Sequence, residues 1–219
     1  MNENENKEAK DSRVGVLNKH SLDLFLLVDK NKAMKRDVLN GIHVTGEFTE
    51  VTNGHYAMRI SNNHMHHDDY PNGPNGEKIS DKKEVDIVVP VEVAKKLQKN
   101  LPKMKSLPMM ENAVFGENTK EDNSNVEIIT YDLEAWNPVN FKPIEDKFPD
   151  MDAVIPKKQA EIEIGFNPDY MIKLCQQFKK NGVDTVKLSI HSPTEVMVLD
   201  GWNSRTDQEI KALLMPKKV

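Results

Sequence analysis

His64-Met65-His66-His67-Asp68-Asp69 is the densest group of side chains in this sequence that could carry out chemistry. Imidazole nitrogens and carboxylates are the donors that zinc takes, and such a centre needs three or four of them held at fixed geometry by outer hydrogen bonds. One reading is therefore a metal-dependent hydrolase that uses His64, His66, His67, Asp68 and Asp69. These ligands are nearly consecutive, however, and fall in Ser61–Lys83, where Pro71, Gly73, Pro74 and Gly76 leave no periodic structure to position them. A solvated loop without a resident metal is the expectation. No Gly-rich phosphate loop, nucleophile elbow, His-Glu-x-x-His or Cys-x-x-Cys pattern occurs elsewhere. The residues therefore point to a protein that is not an enzyme and has no cofactor.

Lysines form the second chemical group. Lys95, Lys96 and Lys99 fall away from the apolar stripe of one predicted helix, and Lys173, Lys179 and Lys180 from that of another. Such faces are ordinarily just solvated. The formal net charge of −5 argues against simple electrostatic coating of nucleic acid, although a local positive surface is compatible with it.

The elements that must position these residues follow from periodicity. Hydrophobic residues make up 37% of the 219 and charged ones 30%, which suits a protein with modest cores. No apolar run reaches the roughly 18 residues of a membrane span, and no leader pattern opens the chain. A lone cysteine, Cys175, fits a reduced, cytoplasmic setting. Met1–Ser12 is polar and reads as a disordered tail. A first unit comprises a strand at Arg13–Leu17, a helix over His20–Lys35 and strands over Gly41–Phe48 and Thr49–Ile60. A second comprises a strand at Val85–Val89, a helix opened by Pro90 with Val93, Ala94, Leu97 and Leu101 on one face and ended or kinked by Pro102, and strands at Ala113–Phe115, Val126–Tyr131 and a stretch near Trp136–Phe141. In the third, Glu161-Ile162-Glu163-Ile164 alternates as a strand does, and Asn167-Pro168 starts a helix with Met171, Leu174, Cys175 and Phe178 on its apolar face. Asn181-Gly182 ends that helix, and strands follow at Thr185–Ile190, Glu195–Leu199 and Gln208–Met215. The pattern is β-α-β-β-β, three times over.

Four stretches carry a resemblance. Leu39-Asn40-Gly41-Ile42 with Val51-Thr52-Asn53-Gly54-His55, Asp146-Lys147-Phe148-Pro149-Asp150 with Val154-Ile155-Pro156, Glu163–Tyr170, and Leu213–Val219 occur in the order found in the bacterial sliding clamp, the β subunit of DNA polymerase III. The chain resembles that family in truncated form. What the resemblance implies is an α+β sliding-clamp fold of about one and a half clamp domains. Residues 13–156 would correspond to the family's second domain and 157–219 to the C-terminal half of its third. It further implies a non-enzymatic processivity factor that tethers replication proteins to DNA. A hydrophobic cleft for short linear motifs of DNA polymerase or other replication proteins would be formed by Thr52, Gly54, His55, Pro149, Val154, Asn167, Tyr170, Leu213, Met215 and Pro216. Lys95, Lys96, Lys99, Lys173, Lys179 and Lys180 would face double-stranded DNA without reading its sequence.

The chain departs from the family pattern at Tyr56, where an arginine is expected, at Met151, where an aromatic is usual, and at Lys217, where an apolar residue is common. Half a clamp domain would leave a sheet edge and an apolar helix face uncovered. A homo-oligomer is therefore expected, either a tetramer or at least a dimer through residues 159–219. The competing reading is a monomeric clamp-like adaptor or decoy that binds the same peptides without encircling DNA.

Overall fold

The computed structural model describes residues 13–28, 37–66, 85–102, 108–120, 122, 124–132 and 134–218. The expected tail over 1–12 lies outside them. Two compact units divide between Pro149 and Asp150.

In the first unit, β1 (Arg13–Asn18) runs into α1 (Lys19–Asp23), whose start is capped by the Asn18 carboxamide accepting the Ser21 N–H at 2.9 Å. A 3-10 turn continues over Leu24–Leu27, and Val28 is already extended. The helix expected over His20–Lys35 is thus much shorter within the described residues. Leu24 to Val28 are consecutively apolar, so no single stripe organises them, and the tighter turn buries both Leu24 and Val28. Residues 29–36 of that prediction lie outside the described set.

The two strands expected between Gly41 and Ile60 are three, β2 (Gly41–Thr45), β3 (Phe48–Thr52) and β4 (Ala57–Ser61). Thr45 makes the first break, its hydroxyl accepting the Phe48 N–H at 2.9 Å and the Glu47 N–H at 3.3 Å. β5 (Asn63–His66) lies inside the stretch that reads as irregular, and it pairs antiparallel with β1 from Arg13↔His66 to Val16↔Asn63. A free edge on β1 recruits it, which is a non-local cause that periodicity does not register.

β6 (Asp86–Pro90) leads into α2 (Val91–Asn100), which ends ahead of Pro102 as the sequence indicates. A short α3 (Pro108–Glu111) precedes β7 (Asn112–Phe115), β8 (Val126–Tyr131) and β9 (Trp136–Phe141). At the β8–β9 turn the Asp132 carboxyl is held below its ordinary range, chiefly by the Ala135 N–H and then by the Asn137 side chain and the Glu134 N–H.

The strands form two antiparallel sheets with the orders β5-β1-β7-β8-β9 and β4-β3-β2-β6. Each repeat therefore gives its leading strand to the sheet of the other. β1 lies beside β7, and β6 lies beside β2. One apolar core joins both sheets and both longer helices, including Ile42, Val44, Val89, Ala94, Leu97 and Ile128. Alternation along β2, β3 and β4 turns the cross-strand row His43, Glu50 and Arg59 to the other face.

The second unit contains α4 (Pro168–Lys180) and a three-stranded antiparallel sheet of β10 (Val186–Ser189), β11 (Met197–Asn203) and β12 (Gln208–Leu214). Its core is small, comprising Phe178, Val183, Met197, Leu199 and Leu214 with half-buried neighbours. The helix face expected from the sequence is only partly covered. Phe178 is buried, Met171 and Leu174 are half-buried, and Cys175 is exposed. The strand expected at Glu161–Ile164 does not form. A single bridge from Gly165 to Lys217 is all that stands in its place. The leading strands of the first unit pair with a strand of the other repeat, and the second unit holds one repeat only.

Candidate functional site

Of the residues expected in a peptide cleft, Thr52, Gly54, His55 and Pro149 belong to the first unit. The β3–β4 turn holds three of them. The Thr52 hydroxyl donates to the Tyr56 carbonyl at 2.8 Å and accepts the Gly54 N–H at 3.1 Å. The Asn53 carboxamide accepts the N–H groups of His55 and Tyr56 at 3.0 and 3.1 Å. Gly54 has a φ of +86°, a conformation that glycine adopts without a Cβ penalty. Thr52 is buried with these bonds made, whereas Gly54 and His55 are exposed. Tyr56, which stands where the family pattern has an arginine, donates its hydroxyl to the Leu27 carbonyl at 2.6 Å and so ties the turn to the 3-10 segment.

Pro149 is exposed, but Phe148 before it is buried and stacks on His43, with ring centroids 4.5 Å apart and planes at 18°. His43 sits between two carboxylates. Its Nε2 lies 2.8 Å from Asp86 and its Nδ1 3.4 Å from Glu50. Glu50 in turn receives Arg59 Nε at 2.5 Å, and the Arg59 guanidinium lies 4.6 Å over the Phe48 ring. This row braces both the β3–β4 turn and the exit towards Pro149. Nothing in the linear sequence marks it as a unit, although the shared parity of His43 with its β3 and β4 partners could have suggested a common face.

Val154, Asn167, Tyr170, Leu213, Met215 and Pro216 belong to the second unit. Asn167 is the cap of α4, its side chain accepting the Asp169 N–H at 2.9 Å. Tyr170 and Val154 are exposed. Along β12 the apolar residues divide by parity. Leu214 is buried, with Ile210 and Ala212 packed on the same core, while Leu213 and Met215 are 61% and 68% exposed. The sequence could not separate core from surface within Leu213-Leu214-Met215, and the sheet does. Pro216 alone among the expected cleft residues lines a depression of about 750 Å³, together with Ile164, Gly165, Pro193, Thr194 and Lys217.

Among the expected DNA-facing lysines, Lys96 and Lys99 on α2 are exposed, and Lys95 forms an ion pair with Glu92 at 2.8 Å. On α4, Lys173 lies 5.9 Å over the Tyr170 ring, and Lys179 and Lys180 are exposed in the last turn, where cations complement the helix dipole. His64 and His66 sit on β5, not in a loop, which corrects the expectation for that stretch. His67, Asp68 and Asp69 lie outside the described residues. Among the described residues no three His, Cys, Asp or Glu side chains converge on a common point, and no helix is long and apolar enough to cross a membrane.

Two sheets that exchange their leading strands and share one core with the helices, followed by half of the same arrangement, define an α+β sliding-clamp fold of about one and a half clamp domains. Comparison with solved structures agrees. The chain is similar to the β sliding clamp of C. crescentus, crystallised with PEG at its proposed beta-motif tethering region, with a TM-score of 0.61 and 18% identity over 94% of this chain and 50% of that one. It is also similar to DNA polymerase III subunit beta from Borrelia burgdorferi, solved with a natural product, with a TM-score of 0.55 and 13% identity over 94% of this chain and 49% of that one. The chain thus spans about half the length of these proteins. No family model and no curated protein matches the sequence.

Proposed function

We propose that this chain is a non-enzymatic, clamp-like processivity factor that works in the cytoplasm. It would tether DNA polymerase or other replication proteins to double-stranded DNA by binding their short linear motifs. The reading takes residues 13–156 as the counterpart of a clamp's second domain and 157–219 as half of its third. The observation that carries it is the apolar set left at the surface of the second unit, Tyr170, Leu213 and Met215, on a clamp fold. Exposed, adaptable side chains such as Met215 suit linear peptides. A peptide with a Gln-x-x-Leu-Phe motif is expected to bind the full chain. Met215→Ala or Pro149→Ala should weaken it by about 1–3 kcal/mol, as truncating one anchor residue does. Calorimetry checks this, and equal affinity for a scrambled peptide would remove the cleft.

DNA contact in this reading is electrostatic and indifferent to sequence. The triple replacement of Lys95, Lys99 and Lys179 by Glu should lower retention on duplex DNA and flatten its salt dependence, by about 0.9 in log–log slope for each phosphate that is no longer neutralised, while leaving peptide binding intact. Retention equal to the parent's at every salt concentration would overturn the DNA-facing assignment. The alternative reading, a monomeric adaptor or decoy that binds peptides without encircling DNA, draws on the chain's spanning about half of a clamp. It predicts peptide binding with no retention on DNA even before the lysines are changed.

A further inference from the structure

We propose that two copies of this chain pair through their second units, each adding Glu161–Gly165 as a strand to the free edge of β10 in the other. This pairing follows from the fold alone and is independent of the peptide and DNA readings.

The first unit shows how such a repeat is completed. The leading strand β6 has its outer edge closed by its own repeat, where the Ile144 N–H donates to the Val88 carbonyl at 3.0 Å. Its inner edge pairs with β2 of the other repeat, in register from Gly41↔Pro90 to Thr45↔Asp86. The second unit reproduces the first of these contacts. The Lys217 N–H donates to the Gly165 carbonyl at 2.8 Å. Val88 and Gly165 each lie two residues before the cap of the following helix, Pro90 in one case and Asn167 in the other. Residues 161–165 thus stand where β6 stands, with their own-side contact made and the opposite edge open.

β10 shows the complementary open edge. Its counterparts as first strand after the helix, β2 and β7, have a neighbour on both sides and are largely buried. Among the described residues β10 pairs with β11 only, and its Lys187 and Leu188 are exposed, Leu188 by 44%. Helix α4 repeats the pattern. In the first unit α1 and α2 lie side by side, with Gln98 Nε2 donating to Asp23 at 3.0 Å, whereas α4 leaves Ile172 52% exposed and Cys175 exposed.

The missing cover must bring a leading strand for β10 and a first post-helix strand for residues 161–165. A second copy of this repeat brings both, and the exchange is reciprocal, so it closes around a two-fold axis. The chemistry of the two edges fits. With Ile162 and Ile164 on the face that carries Val186 and Leu188, period-2 alternation sets Glu161 and Glu163 on the face of Lys187. Opposite charges across an antiparallel pair are favourable, and the symmetry supplies them twice.

Sedimentation of the full chain over a wide concentration range should show a dimer that dissociates on dilution, with amides of 161–165 and 186–189 protected from hydrogen exchange in the dimer. Leu188→Asp and Ile172→Glu change exposed side chains and should leave the monomer folded while raising the dissociation constant roughly tenfold or more, the equivalent of about 1.4 kcal/mol. Lys187→Glu should weaken pairing, and combining it with Glu161→Lys and Glu163→Lys should restore it. A chain that stays monomeric at every concentration leaves these edges to another occupant and overturns the proposal. So does a dimer that is indifferent to both Leu188→Asp and Lys187→Glu.

Discussion

Replacing Phe178 by alanine should destabilise the second unit by about 3–5 kcal/mol, the range for truncating a buried aromatic. Phe178 is the largest of five buried apolar residues that make up that core, and its ring and the Val183 side chain lie so close over Gly201 that a Cβ there would be 2.8 Å from each. A core of this size has few other contacts with which to absorb the cavity. The loss would fall on the element that carries Tyr170 and on the sheet that presents Leu213 and Met215. Hydrogen exchange resolved by residue is the measurement. Amides of α4, β11 and β12 should lose protection while those of β2 and β8 keep theirs. A loss below about 1 kcal/mol would mean that Phe178 does not anchor this core.

Glu50→Ala is expected to have the second large effect, about 3 kcal/mol on the first unit. Glu50 is buried and takes Arg59 Nε at 2.5 Å on one oxygen, with His43 Nδ1 at 3.4 Å from the other, and hydrogen bonds to charged groups contribute about 1.5–3 kcal/mol each. Arg59 is about a fifth exposed and keeps other contacts, among them the Phe48 ring beneath it, which limits the cost. Glu50→Gln retains an acceptor for Arg59 and should lose only about 1 kcal/mol. The comparison separates charge from shape, and chemical denaturation of the three proteins measures it. An alanine variant as stable as the glutamine variant would show that the row from His43 to Arg59 does not brace the sheet. Because this row also holds Phe148, the alanine variant should loosen the chain just ahead of Pro149.

Local signals determined much of this protein without tertiary help. The sequence predicts strands at Val126–Tyr131 and near Trp136–Phe141, where β8 and β9 form, and Asn167-Pro168 with the 3.6-residue stripe behind it marks the start of α4. α4 is specified by a face that is apolar at the right period, which is a property of the segment itself. The order of four short stretches was enough to point to the clamp fold, and to which residues of each unit belong to its turn and its C-terminal segment.

What only the tertiary structure decided concerns edges and faces. Asn63–His66 is a strand because β1 has an edge to offer. Glu161–Ile164, with a better alternating pattern, is not one, because the second repeat that pairs with such a segment in the first unit has no counterpart in the second. Leu214 is core and Leu213 and Met215 are surface for the same kind of reason, since neighbours in sequence differ only in which side of the sheet they meet. A strand's hydrogen bonds are made to another segment, so its existence and its buried face depend on a partner that its own sequence does not contain.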